Sequence, residues 1–210
     1  MQTPAAPPPV RPDLHPSWTR PKRRWWPLLG VMAVIAVVVL GGYVTSSALS
    51  EAAGPPVEIP GIVQVRPLSG WEESAAGQIP LAIEGRDAPG RFVQLTRGNG
   101  NFAVVAVRVG AVAPEALARA FVLGELEQQL DRPTVSRNLE DVTLGSRARA
   151  VRFTYVGVVA DTGVSVEGEM TVLVTPAGDG VIFDAFAPEG LLQFILGDVH
   201  SMEDKAGFFE

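Results

Sequence analysis

The sequence predicts an α+β protein: a single N-terminal transmembrane helix followed by an antiparallel β-sheet domain flanked by helices, an α/β/α sandwich in outline. Three observations carry this. An uncharged run opens at Trp25 and ends at Val44. Beyond it, short apolar segments alternate with polar residues at the two-residue period of half-buried strands. Two stretches, near 113–130 and after 187, instead carry apolar residues at helical spacing or helix-start signals.

The first 24 residues hold Pro4, Pro7, Pro8, Pro9, Pro12, Pro16 and Pro21 and almost nothing to bury. Residues 1–24 therefore read as a disordered, basic cytoplasmic tail with polyproline-II character. His15 is isolated there and needs no role. A helix rises about 1.5 Å per residue, so the uncharged run is roughly 30 Å long, the thickness of a bilayer's hydrocarbon core. A soluble helix is rarely apolar on every face over such a length. The reading is a transmembrane helix over 25–46, with the lipid bilayer as the partner of the run from Trp25 to Val44.

Arg20, Lys22, Arg23 and Arg24 precede the run, and no Lys or Arg follows until Arg66. Positive charge is retained in the cytoplasm, which predicts a single-pass protein of the cell membrane, N-terminus inside and C-terminal domain extracytoplasmic. Trp25, Trp26 and Tyr43 fall where amphipathic rings favour the headgroup zone. The rival is a cleaved signal peptide releasing a secreted domain, with Ser46, Ser47, Ala48 or the Ala52-Ala53 pair at the cut. The length of the run and of the segment before it favours a retained anchor. Cysteine is absent, which excludes a lipid-modified cysteine, disulfides and thiolate metal ligands.

Residues 47–60 read as a linker, in which Pro55 and Pro56 stop any helix leaving the bilayer. Residues 61–210 read as one extracytoplasmic α+β domain. Its charge differs from that of the N-terminal part: residues 1–50 carry a net +4 and residues 51–210 a net −10. Such an acidic domain repels nucleic acid, so none is expected as a partner.

Within the domain, 62–66 alternates as a short strand, broken by Pro67, Ser69 and Gly70 before Trp71. A second strand is predicted over 79–83, a turn at Asp87, Pro89 and Gly90, and a strand over 91–96. Gly98-Asn99-Gly100 is a hairpin signal, since Gly and Asn accept positive φ. The run 102–109 is apolar on both faces and belongs mid-sheet. Ala113-Pro114-Glu115 starts a helix that runs to about Leu130, with imperfect amphipathicity, and Asp131, Arg132 and Pro133 end it. Residues 147–159 form a long strand, Asp161-Thr162-Gly163 a turn, and 164–174 the return. Val166, Gly168, Met170, Val172 and Val174 share one face of that return; Ser165, Glu167, Glu169 and Thr171 share the other. A turn over 176–180 leads to a strand over 181–186, completing an antiparallel meander. Ala187-Pro188-Glu189 opens a last helical region, with Asp198 capping a short helix from Val199 to about Ala206.

This order of elements resembles the PsbP-like fold. The features that carry the likeness are the early strand ending at Gly70-Trp71, the Gly98-Asn99-Gly100 hairpin, the Pro114-to-Leu130 helix, the meander and the helix around Met202. The resemblance covers most of residues 60–210. It implies a binding or assembly factor without catalytic residues, and transfers no functional residue one by one.

The candidate sites are few. Asp161-Thr162-Gly163, after Val158-Val159-Ala160, has the form of an aspartic-protease loop, and Ile195-Leu196-Gly197 echoes an apolar-apolar-Gly element downstream. That chemistry needs two aspartates sharing a proton. Val164 follows the Gly where a Ser, Thr or Ala is usual, and the intervening stretch is too short for such a fold. An envelope hydrolase using Asp161 is therefore the alternative reading. His200 lacks triad partners in the sequence and reads as a surface or helix-packing residue. Glu167 and Glu169, with Asp161 near in sequence, raise a calcium site against a solvated strand face, and the latter is favoured. Trp71 beside Glu72 and Glu73 is either pocket or core, and core packing is favoured. The reading is of a non-catalytic, membrane-anchored extracytoplasmic binding or assembly module that contacts an envelope protein or membrane complex. No catalytic residue, cofactor or metal is expected.

Overall fold

The computed structural model describes residues 54–83, 85–145 and 148–209. The tail, the span expected over 25–46, most of the linker and Arg147 lie outside them. Among the described residues no helix is long and apolar enough to cross a membrane. What they form is mostly antiparallel sheet with few helices, an α+β fold.

In chain order, β1 (Val57–Ile59) and β2 (Val63–Val65) form a hairpin, followed by β3 (Glu72–Ile79), β4 (Ala82–Ile83), β5 (Arg86–Asp87), β6 (Gly90–Arg97) and β7 (Gly100–Arg108). Helix α1 (Pro114–Phe121) continues into a π turn (Val122–Leu126) and one short helical turn (Glu127–Gln129). Then come β8 (Leu130–Val135), β9 (Glu140–Thr143), β10 (Arg149–Val159), β11 (Ser165–Val174) and β12 (Asp179–Pro188). A 3-10 turn (Leu192–Phe194), helix α2 (Leu196–Asp204) and β13 (Gly207–Phe208) close the described chain.

The main sheet has the order β3-β6-β7-β12-β11-β10-β8, with β9 pairing the other half of β10 along the same edge. Every pairing in it is antiparallel. The meander predicted from sequence, β10-β11-β12, lies in its interior. The hairpin at Gly98 closes β6 on β7 with Arg97 paired to Gly100, and Gly98 has φ +58°. Positive φ at the first of two loop residues suits the right-handed twist of the strands it joins.

The sheet is covered on both faces, as the apolar pattern of β7 requires. One face packs against α1 and the π turn through Val105, Leu117, Phe121, Leu126, Met170 and Ile182. The other buries Trp71, Leu95, Phe102, Phe183, Val199 and Met202. That second outer layer is not helical alone: β1, β2 and β13 form a three-stranded sheet beside α2, with Val57 opposite Val65 and Phe208 opposite Val63. Residues 57–60, read as linker, thus contain β1, whose Ile59 is buried in this core.

Three further elements differ from expectation. The helix predicted to Leu130 is regular only to Phe121. Gly124 and Gln128 would fall on its buried face at α spacing and have little to bury. A five-residue step across the π turn brings Leu126 inward and leaves Leu123 exposed. Asp131, Arg132 and Pro133 do not end the element in a loop; they lie in edge strand β8, where a missing N–H is tolerated and Arg132 takes φ +51°. The region expected to be helical from Ala187 begins later, because β12 runs on to Pro188, paired with Val166.

Candidate functional site

The polar row of β11 faces α2. Glu167, Glu169 and Thr171 were read as a solvated face, but the C-terminal helical segment covers them. Glu167 Oε1 accepts the Leu192 N–H at 2.9 Å. Glu169 Oε1 lies 2.5 Å from His200 Nε2 and 3.4 Å from Arg152 Nε. Arg152 Nη2 donates to Glu203 Oε2 at 2.7 Å, while Arg152 Nε donates to Thr171 Oγ1 at 2.9 Å. Thr171 in turn donates to Glu203 Oε2 at 3.3 Å. Burial pushes the Glu203 carboxyl up to about 7, against the pull of Arg152 and His200 and of the bonds from Arg152 and Thr171. The hydrogen bond to Glu169 raises His200 above its usual value, against burial and the Arg152 charge. Each member is committed to another, so the cluster ties helix to sheet. Among the described residues no three acidic or imidazole groups are placed to hold a metal ion.

A second tie holds the start of α2. Trp71 Nε1 donates to Asp198 Oδ2 at 3.1 Å, and Arg97 pairs with the same oxygen. Asp198 was expected to cap the helix. It sits instead in the first turn of α2 with no side-chain cap bond, where a carboxylate still favours the helix dipole. Trp71 is buried and meets Phe102 edge-on at 6.3 Å between ring centroids, a core role. Glu72 and Glu73 are exposed on β3.

On the opposite face of the sheet, among the described residues, Tyr155 and Asp184 form a buried polar pair. The Tyr155 hydroxyl donates to Asp184 Oδ1 at 2.9 Å. Tyr155 stands on β10 opposite Gly168 of β11, and Asp184 stands on β12 opposite Met170. A Cβ on Gly168 would lie 2.2 Å from Tyr155 Cζ, so the ring can cross β11 only over a glycine. Burial pushes the Asp184 carboxyl up to about 7, with the Tyr155 bond pulling it down. Burial, and then the adjoining Asp184, raise the Tyr155 hydroxyl well above its usual range.

Asp184 also lines a cavity of about 180 Å³ between the sheet and the π turn. Phe92, Phe121 and Phe186 form much of its wall, with Ile79, Val105 and Leu126. Gln94, Glu125 and Gln129 add the polar groups near Asp184. One perturbed acid, Asp184, aromatic walls and a π turn gathered at one cavity mark a candidate binding site. Sequence reasoning passed over Asp184 and Tyr155. The available signal was a lone acid inside Val181-Ile182-Phe183-Asp184-Ala185-Phe186, a stretch otherwise fit for burial.

Asp161 sits exposed at the tip of the β10–β11 hairpin, whose loop is closed by the Gly163 N–H on Val159 O at 2.8 Å. Aspartic-protease chemistry needs a buried pair of carboxylates, and this tip supplies none among the described residues. At the same end of the sheet three large apolar side chains face solvent: Val164, Leu191 and Phe194, the last 71% exposed. The Glu189 N–H bonded to Ser165 O at 3.1 Å holds their two segments together.

No known family model matches the chain. No curated protein matches it either. Among solved structures it is similar to the cyanobacterial PsbP of Synechocystis at 13% identity, over 72% of this chain and 89% of that one, with a TM-score of 0.49. It is similar also to LpqN of Mycobacterium tuberculosis, involved in cell envelope biogenesis, at 13% identity over 76% and 93% of the two chains, with a TM-score of 0.45. The first of these structures carries the name of the fold that the order of elements resembles.

Proposed function

We propose that this protein is a non-catalytic, membrane-tethered extracytoplasmic module that binds an envelope protein or membrane complex. The observation that carries the reading is the apolar end of the sheet. Phe194 is 71% exposed, and Leu191 and Val164 are exposed at the same end of the sheet, so this end offers apolar side chains that a partner could bury. The uncharged run from Trp25 to Val44 and its basic flank support the tether and its orientation. The ionisable groups of the described domain support the absence of catalysis, since the buried ones are tied to structural partners.

The test is a photo-crosslinking amino acid placed at position 194 of the full chain in membranes, with position 73 on exposed β3 as control. The expected result is one discrete heavier adduct from 194 and none from 73, weakened by Val164→Ser. No adduct, or only a pair of copies of this chain, overturns the reading.

A further inference from the structure

We infer that Glu167 is the positioning residue of the partner surface: through the Leu192 N–H, its carboxylate fixes the 3-10 turn that presents Phe194. The inference rests on the partner reading above and deepens it, because it says what sets the ring's place. Strand β11 puts Glu167 on the sheet face toward α2, opposite Val156 of β10 and Ala187 of β12.

The segment 188–195 leaves β12 and folds back over that face. Gly190 takes φ +83°, and the Leu191 N–H donates to Pro188 O at 3.0 Å, a turn whose third place suits glycine. The 3-10 turn follows, with the Phe194 N–H on Leu191 O at 3.1 Å and the Ile195 N–H on Leu192 O at 3.0 Å. In such a turn residues three apart share a side. Leu192 and Ile195 form one such pair and are buried in the core. Leu191 and Phe194 form the other and face solvent. The direction of the Phe194 ring is therefore set by the turn.

The turn is pinned at both ends. At the far end Ile195 packs over Gly100, where a Cβ would lie 2.7 Å from Ile195 Cγ2. At the near end Glu167 Oε1 accepts the Leu192 N–H at 2.9 Å. A carboxylate is a stronger acceptor than a neutral carbonyl, so this is the firmer kind of tie. The other bond from β11, the Glu189 N–H on Ser165 O, lies before the bend at Gly190 and leaves the turn itself free to shift. Further along, Glu169 with His200 and Arg152 with Glu203 hold α2, so loss of Glu167 leaves the helix docked. A ring held in one place has less order to gain on binding, and that raises affinity.

Two readouts on the full chain test this. The first needs no partner: amide hydrogen exchange of the segment 189–195 in lipid nanodiscs, with 181–187 of β12 as the internal reference. Glu167→Ala should speed exchange of the segment by about fivefold or more and leave the reference unchanged. Glu167→Gln, whose amide oxygen accepts the same N–H, should stay within roughly twofold of the parent. The second readout is the adduct formed in membranes by a photo-crosslinking amino acid at exposed position 193, which leaves Phe194 in place. Glu167→Ala should lower its yield several-fold, as should Phe194→Ala, and Glu167→Gln should restore it. Unchanged exchange in Glu167→Ala, faster exchange with a full yield of adduct, or a Gln variant as defective as the Ala variant would overturn the inference. A parent chain that gives no adduct would overturn the partner reading, and the exchange rates would still decide for or against Glu167.

Discussion

Tyr155 gives its hydroxyl proton to Asp184 across an intervening strand, over the bare backbone of Gly168. The pair sits where the sheet's apolar face would otherwise be unbroken. Burial holds the Asp184 carboxyl near 7, above the 3.8 it has when exposed. Below 3.8 both folded and unfolded chains carry the proton, and the pair's contribution is complete. Between 3.8 and 7 only the folded chain keeps it, so stability is lost as pH rises; above 7 the loss levels off. The drop attributable to Asp184 is up to about 4 kcal/mol. Glu203 and His200, both raised, act with the same sign. Thermal unfolding should therefore show a higher midpoint at pH 5 than at pH 8, and Asp184→Asn should narrow that difference, leaving the part due to Glu203 and His200. A midpoint that rises with pH over this interval would contradict the assignment.

Gly168→Ala should destabilise the domain by about 1–3 kcal/mol or more, because its Cβ meets a ring held between two strands. The cost is specific to Tyr155. In Tyr155→Ala the ring is gone, and adding Gly168→Ala should then cost much less than it does alone. Urea unfolding of the four chains measures the coupling. Equal costs in both backgrounds would mean that the glycine serves strand geometry and not the tyrosine.

Arg152 bridges Glu169, Thr171 and Glu203, and only the Glu203 carboxyl is wholly buried. Removing the guanidinium in Arg152→Met strands that acid, which costs about 3–5 kcal/mol for a buried pair broken on one side. Replacing both, as Arg152→Met with Glu203→Leu, should recover most of the loss, since the buried charge goes with its partner. Denaturant midpoints decide it: a double variant as weak as the single one would show that Arg152 matters through Glu169 and His200 instead.

How much of this was legible in the sequence depends on what surrounds each residue. Strands β10, β11 and β12 lie inside the sheet, and their runs of Val, Phe and Ile announce them. Edge strand β3 reads Glu-Glu-Ser-Ala-Ala-Gly-Gln-Ile and is exposed along nearly all of its length, so it has no apolar period to find. Strand β8 hides behind Pro133, which only an edge accepts. The row Glu167, Glu169 and Thr171 was visible as one face. That His200 and Glu203 would cover it was not, because those partners come from a helix about 30 residues away whose docking is set by Trp71, Val199 and Met202 in the core. The cavity is lined by Glu125 and Leu126 of a single widened turn. Its only trace in the sequence is the imperfect amphipathicity between Phe121 and Leu130.

The membrane topology rests on the sequence and has its own test. Arg20, Lys22, Arg23 and Arg24 stand within five positions of one another, and no basic residue follows until Arg66. Placing each such charge at the centre of a bilayer costs about 2.5–3.5 kcal/mol on insertion scales. The tail should remain in the cytoplasm and the domain should be carried across. Protease added outside spheroplasts should then digest the domain and leave a small protected fragment ending near Val44. Antibody to a tag ahead of Met1 detects that fragment, and a tag after Glu210 should be lost. A domain protected until the membrane is lysed would reverse the orientation. A domain free in the medium, beginning near Glu51, would show instead that the apolar run is a signal removed by cleavage.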